Sequence, residues 1–330
     1  MILTIGVILP HTRIFGGVKR FLEIGNLLVA KGHRFIVFTP DADFPEWFNF
    51  NGSTERLSAL KTHRLDAIFT TEIEFLGELK RSLAKMKIFY AVLERPYIRR
   101  ILREEGIVIF ANSVKLFHYL NGDKNPRVVK AIGGIDLKKF AFKPRRREPG
   151  MPFTVMVYGR FYRRKKGTMM VVRACERLYR QGYNIRLHLF DSPVDESSRA
   201  KVRAFTCKVP FEFFVDYPVK EIADLYYKAD VFVSAERNAG WCNTGAEAMA
   251  CGVPLIATTS GTKDFLFHEK TGLVVYRHSW FIKRAMKRLY EDEALRTSFM
   301  LPARKKIEEF SWQNLADQIE QYLLQNKQNV

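Results

Sequence analysis

Apolar positions in the first half of the chain follow two alternating rhythms. Short runs rich in β-branched and aromatic residues occur at Ile2–Leu9, Phe35–Thr39, Ala67–Thr70, Ile88–Leu93, Ile107–Ala111 and Val128–Ile132. Between them, Val18–Lys31, Glu74–Lys85, Tyr97–Glu105 and Val114–Leu120 mostly space apolar residues three and four apart, as one face of a helix requires. Strands alternating with helices predict βαβ units around a parallel sheet. Residues 41–64 fit neither rhythm.

Lys143-Pro-Arg-Arg-Arg-Glu-Pro-Gly150 breaks the alternation with two prolines, a glycine and a run of charge, the composition of a linker. A second series follows. Strands are predicted at Phe153–Tyr158, Ile185–Phe190, Phe211–Val215, Val231–Ser234 and Pro254–Thr258, and helices at Thr168–Gln181, Val219–Lys228 and Thr244–Ala250. After Gly272-Leu-Val-Val come two more helices, near Trp280–Tyr290 and Trp312–Asn326. The economical reading is two successive α/β sheets with a cleft between them. The expected domains are 1–142, a linker at 143–150, 151–310, and a C-terminal helix at 311–330 that packs back toward the first domain.

The chain has 330 residues, 47 % hydrophobic and 27 % charged, so disordered and fibrous classes drop out. No window approaches the ~20 apolar residues of a membrane span. The apolar start ends at Pro10 without a basic segment before it, and reads as a first buried strand, not a signal peptide. Cys175, Cys207, Cys242 and Cys251 lack metal-ligand spacing or a disulfide pattern, so a reduced, cytoplasmic protein without a metal is expected. The net charge is +19, with the excess in both halves. Such a field attracts nucleic acid, anionic lipid or phosphorylated substrates, although a solvated basic surface gives the same number.

Two constellations can carry chemistry. Gly159-Arg160 to Lys166-Gly167 lies between a strand and a helix, at the carboxyl end of a parallel strand, where ligands of open sheets bind. The helix start offers N–H groups to an anion. Arg160 supplies a planar fork and Lys166 a point charge; the alternative is a solvated basic loop. The second runs from Ser234 through Gly240, Trp241, Asn243, Thr244 and Glu247 to Gly252-Val-Pro254. Glu247, three residues after Thr244, has capping-box spacing. It can equally accept two hydrogen bonds from the vicinal diol of a ribose.

These residues resemble the GT-B glycosyltransferases of the family 4 type, the retaining, nucleotide-sugar-dependent group 1 class. Further points of resemblance are Gly16-Gly17-Val18, Lys31-Gly-His33, Ala111-Asn-Ser113, Gly134-Ile-Asp136-Leu-Lys-Lys-Phe140, Lys270-Thr-Gly272-Leu-Val and Phe310-Ser-Trp312. The resemblance implies two Rossmann-like domains facing across a cleft, with no cofactor beyond a UDP-, GDP- or dTDP-sugar donor. It implies that Arg160 and Lys166 neutralise the donor diphosphate and that Glu247 binds its ribose. Gly16, Gly17, Gly240, Trp241, Asn243 and Thr244 would line the donor. The implied reaction transfers a sugar to a lipid-linked or cell-surface polysaccharide acceptor.

The chain departs from the family pattern twice. Eight residues before Glu247, where the family has a glutamate, stands Ala239, with Glu236 three residues earlier. The usual histidine near the end of the Ile88–Leu93 strand is replaced by Glu94-Arg95-Pro96. Glu236 and Glu94 are therefore secondary candidates. Other GT-B chemistry, such as epimerisation, and a silent polyanion-binding protein are the competing readings. No motif for specific nucleic-acid binding is present. Arg95, Arg99, Arg100 and Arg103 cluster on a short helix at spacings of three to four, so several share one face, and they predict peripheral attachment to an anionic membrane, on the inner face. His33 is expected to pack a turn, and His118 and His188 to face a surface or sheet edge.

Overall fold

The structure is a computed structural model and describes residues 1–13 and 15–327. The chain divides into two compact units, Met1–Gly134 with Phe310–Val330, and Ile135–Glu309.

The first unit contains β1 (Thr4–Ile8), α1 (Gly16–Ala30), β2 (Arg34–Thr39), β3 (Ser53–Arg56) and β4 (Ala67–Thr70). It continues with α2 (Leu76–Arg81), β5 (Met86–Ala91), α3 (Pro96–Ile101), β6 (Ile107–Ala111), α4 (Val114–Tyr119) and β7 (Val128–Lys130). All strands are parallel, in the order β3-β2-β1-β4-β5-β6-β7. A parallel sheet covered on both faces needs nearly continuous apolar strands. The Ile-, Val- and Phe-rich runs meet that need, with one core against α1 and another against α2 to α4. The strand β3 escaped the sequence pattern because it is Ser-Thr-Glu-Arg. It lies at the edge beside β2, where polar side chains are tolerated.

The second unit contains β8 (Phe153–Tyr158), α5 (Thr168–Tyr179), β9 (Ile185–Asp191), α6 (Glu196–Arg203) and β10 (Phe211–Val215). Then come α7 (Ile222–Tyr227), β11 (Val231–Ser234), α8 (Asn243–Ala250), β12 (Leu255–Ala257), β13 (Leu273–Val274), α9 (Ser279–Glu291), α10 (Glu293–Ser298) and α11 (Met300–Glu308). The parallel order is β10-β9-β8-β11-β12-β13. Helix α6 was not anticipated because Val202 is its single buried large apolar side chain. Its start was nevertheless signalled by Asp195, whose carboxylate accepts from the Ser198 N–H at 2.7 Å.

The division between units falls earlier than the expected boundary after residue 142, because residues 135–145 are tied to the second unit. Phe140 is buried against the Tyr226 ring, the Lys143 N–H donates to Cys251 O at 3.1 Å, and Arg145 donates to Lys228 O. The two prolines and charge run therefore mark a strap laid on this unit.

The last helix, α12 (Trp312–Lys327), belongs to the first unit. Leu315, Ile319 and Leu323 enter the core with α1 and β1. Lys31 pairs with Asp317 and Glu320, and His33 Nε2 donates to Glu320 at 2.8 Å. His33 thus packs its turn as expected. His118 is exposed beside Asp123. His188 differs: in β9 it is 5 % exposed, so the expectation of a surface position fails. Its alternation with Leu187 and Leu189 reads as a polar face, yet this parallel strand is covered on both sides.

Candidate functional site

In the second unit every strand runs the same way, so the carboxyl ends of β8, β9, β11 and β12 share one edge. The turn after β8 carries residues 159–167. Gly167 ends it at φ +71°, and a Cβ there would lie 2.2 Å from Ala235 O. Only glycine allows this close crossing of the two loops. It also starts α5 beneath the loop.

Arg160 turns toward the end of β9. Its Nε and Nη2 lie 3.0 and 2.9 Å from Oδ1 of Asp191, and Nη2 also donates to Ser192 O at 3.1 Å. The Asp191 carboxylate is fully buried and accepts at its other oxygen from the Tyr162 hydroxyl at 2.6 Å. Lys166 pairs with Glu236, from the turn after β11. Its ammonium and the Arg160 guanidinium lie 5.3 and 5.1 Å from the centre of the same Tyr158 ring. The two cations therefore gather at one aromatic floor, each balanced by a carboxylate. Burial, reinforced by Asp191, pushes the Tyr158 phenol far up, so it stays neutral.

Glu247 lies in the middle of α8 and its Oε2 accepts from the Tyr226 hydroxyl at 2.7 Å. Cys242 is the N-cap, and its N–H donates to Gly261 O at 2.8 Å. The capping box is thus not formed, and the Thr244–Glu247 spacing is not what starts this helix. Tyr226 is fully buried, which raises its phenol well above the ordinary value. It acts as a fixed donor that orients the carboxylate.

Residues 152–292, which hold this edge, match the family described as "Glycosyl transferases group 1". One relative is the D-inositol 3-phosphate glycosyltransferase of Arthrobacter sp. (strain FB24), 28 % identical over 62 % of this chain and 52 % of that protein. The chain therefore spans about half the length of such relatives. Sucrose-phosphate synthase from Thermosynechococcus elongatus is 20 % identical and superposes with a TM-score of 0.80 over 99 % of this chain and 100 % of that one. Anabaena Alr3699/HepE, solved with UDP and glucose, is 14 % identical, with a TM-score of 0.77 over 98 % and 100 %. The fold is GT-B, with two Rossmann-like domains.

Within this unit the remaining candidates divide. Asn243 and Thr244 form the first turn of α8, after Gly240. Trp241 is 9 % exposed and packs edge-on against Phe265 at 4.8 Å, so its indole serves the core. Ala239 donates its N–H to Ser260 Oγ at 2.8 Å. Glu236, three residues before, reaches the Lys166 ammonium. Burial raises the thiols of Cys242 and Cys251, the latter to about 12, so both stay protonated.

The first unit contributes less. Gly16 and Gly17 are the first two residues of helix α1. The space a Cβ of Gly17 would occupy is open. Glu94 pairs with Lys115 at 2.8 Å. Among the described residues no group of three or more His, Cys, Asp or Glu is placed to hold a metal ion.

Asp191, Tyr158 and Tyr226 escaped sequence reasoning, as did Arg277. The Arg277 Nε donates to Ala235 O at 2.8 Å and its Nη2 to Arg164 O at 2.6 Å. It fastens the turns after β8 and β11 together. The position of Asp191 at the carboxyl end of a predicted strand was the one available signal.

Proposed function

We propose that the protein is a retaining glycosyltransferase that moves a sugar from a nucleotide-sugar donor to a lipid-linked or cell-surface polysaccharide acceptor. The observation that carries this reading is the convergence of Arg160 and Lys166 on Tyr158, on the same sheet edge as Glu247. An incoming diphosphate replaces Glu236 as the partner of Lys166 and shares Arg160 with Asp191. Fixed positive charge then meets the negative charge that grows on the leaving nucleoside diphosphate while the sugar gains oxocarbenium character. Glu247, oriented by Tyr226, accepts from the ribose hydroxyls. Gly240, Asn243 and Thr244 present backbone and side-chain donors beside it. The same reading assigns Gly16 and Gly17 to the donor and keeps Glu94 as a secondary candidate.

The acceptor reading draws on the net charge of +19, which suits an anionic acceptor or surface. Among the described residues no helix is long and apolar enough to cross a membrane. Arg95, Arg99, Arg100 and Arg103 are exposed on and beside α3 and fit peripheral attachment to an anionic inner leaflet.

A thermal-shift series with UDP-, GDP-, dTDP- and ADP-sugars tests the donor reading. A ligand at about 100 times its Kd stabilises the folded state by about 2.7 kcal/mol. One base class should raise the melting temperature, and the Lys166→Ala variant should lose the shift. If no nucleotide sugar shifts the wild type, the glycosyltransferase reading fails and a silent polyanion-binding protein takes its place.

A further inference from the structure

Beyond the donor site, the second unit exposes an aromatic cluster that its fold does not require. Tyr276, Trp280 and Phe281 are 77 %, 40 % and 38 % exposed. They sit where the chain leaves β13 and enters α9. The helix buries Ser279, Ile282, Ala285, Met286 and Leu289, so its packing face is satisfied without them. A contiguous apolar cluster left in water marks a contact surface.

Cations surround the cluster. The Arg284 guanidinium lies 4.7 Å from the centre of the Trp280 ring. Arg277 follows Tyr276 and reaches Arg164 O, and the Arg237 N–H donates to Lys165 O at 2.8 Å. These contacts bring Arg164, Lys165, Arg237 and Arg277 into one group. Among the described residues none of these four, nor Arg284, is ion-paired, whereas Arg199, Arg203 and Arg288 of the same unit each hold a carboxylate.

We propose that this patch is a docking surface for an anionic phospholipid bilayer. The unpaired cations complement anionic headgroups, and the rings form a wedge and not one flat platform: Trp280 and Phe281 meet at an interplanar angle of 90°, and Tyr276 and Phe281 at 56°. An edge-on cluster of Trp, Tyr and Phe ringed by arginine suits the boundary between headgroups and acyl chains. The arginines meet the anionic headgroups while the rings enter below them. The face of α3 differs in degree: Arg99 lies 4.2 Å from the centre of the half-buried Tyr119 ring and Tyr97 packs on Phe89, so no cluster of largely exposed rings stands beside its arginines. Charge alone gives binding that salt abolishes. Charge with inserted rings leaves a salt-resistant part. Because Arg277 also ties down the loop of Arg160 and Lys166, docking would bring the donor loop to the membrane surface. The proposal stands apart from the donor reading and does not require it.

Sedimentation of the whole chain with phosphatidylcholine vesicles, with and without phosphatidylglycerol, at low and high salt, tests it. The wild type should bind only the anionic vesicles and keep part of that binding at high salt. Trp280→Gln with Phe281→Gln should lower the partition coefficient about tenfold or more and remove the salt-resistant part, with near-ultraviolet circular dichroism unchanged. Brominated acyl chains should quench tryptophan fluorescence in the wild type and not in Trp280→Phe. Wild-type partitioning by the double variant overturns the proposal. So does loss of all binding on neutralising Arg95, Arg99, Arg100 and Arg103 while the aromatic variant stays unaffected. Binding of a soluble anionic polysaccharide without vesicle binding also overturns it. A nucleotide-sugar thermal shift retained in the double variant separates this failure from failure of the donor site.

Discussion

The two units are built on the same strand order and use their charges differently. Six strands of the first unit, β3-β2-β1-β4-β5-β6, correspond in sequence to β10-β9-β8-β11-β12-β13 of the second. In the first, buried charge holds the fold. Arg20 is 6 % exposed and donates to the Tyr90 hydroxyl at 2.9 Å and to Gly133 O at 3.0 Å, and Lys31 and His33 anchor α12. The turn after β1 enters a helix whose first turn has no acidic residue and whose N-cap makes no side-chain bond. In the second, Arg160, Lys166, Asp191 and Glu236 lie along the carboxyl edge itself. Topology supplies an edge where a ligand can bind; the side chains placed there decide whether chemistry follows.

The largest effects should come from the two cations. Lys166→Ala and Arg160→Ala should each lower turnover about a hundredfold or more, as expected for loss of charge stabilisation at a leaving group. Stability should tell them apart. Glu236 can turn to water when Lys166 is lost, whereas Asp191 is left buried and charged when Arg160 is lost. Arg160→Ala should therefore also destabilise by roughly 2 kcal/mol, and adding Asp191→Asn should restore much of that stability without restoring turnover. Steady-state kinetics beside urea unfolding checks both. Full turnover in both single variants would remove the contrast between the units.

Each unit also buries a histidine. His33 is bonded at both nitrogens, accepting from the Leu3 N–H at 3.1 Å and donating to Glu320. His188 makes no hydrogen bond at either nitrogen among the described residues, and Glu212 lies 3.7 Å away. Burial, with Arg186, Lys228 and Arg145 nearby, holds its pKa down at about 4. The unfolded chain takes up the proton first, near its ordinary value of 6.5. The stability His188 confers as a neutral ring is thus complete above pH 6.5 and falls as pH drops toward 4, by about 3 kcal/mol. His188→Leu should flatten urea midpoints between pH 7 and 4.5. An unchanged pH slope would place the acid sensitivity elsewhere.

Most of the architecture was legible because the strands are apolar on both faces and the helices keep a three-to-four spacing. What stayed hidden had weak patterns or long-range causes. Strand β3 is wholly polar, α6 has a single large apolar anchor, and His188 looks like a surface residue until its strand is covered. Arg160, Lys166 and Glu247 were legible from strand–turn–helix position. Their partners were not, since Asp191, Glu236 and Tyr226 lie 31, 70 and 21 residues away in sequence. The capping alternative for Glu247 falls for the same reason: Cys242, fixed by Gly261, caps the helix two residues before the position that box requires.

Glu247→Gln measures whether this carboxylate serves a ligand or its helix. The amide keeps an oxygen for the Tyr226 hydroxyl but weakens acceptance from a diol. Donor KM should rise about tenfold, the worth of one charged hydrogen bond, with little change in melting temperature. A clear loss of stability at unchanged KM would return Glu247 to a structural role.

The smallest effect should come from the first unit, where the expected signs of stability and activity are opposite. Gly17 is the second residue of α1, and its missing Cβ faces open space. Alanine there meets no clash and favours the helix, so Gly17→Ala should stabilise by roughly 0.5–1 kcal/mol. If that space admits the donor, the added methyl should lower turnover severalfold while the melting temperature rises. A general defect in folding cannot give that pair of signs. Raised stability with unchanged turnover would show that the glycine pair serves only the start of the helix, and would confine the donor chemistry to the edge of the second unit.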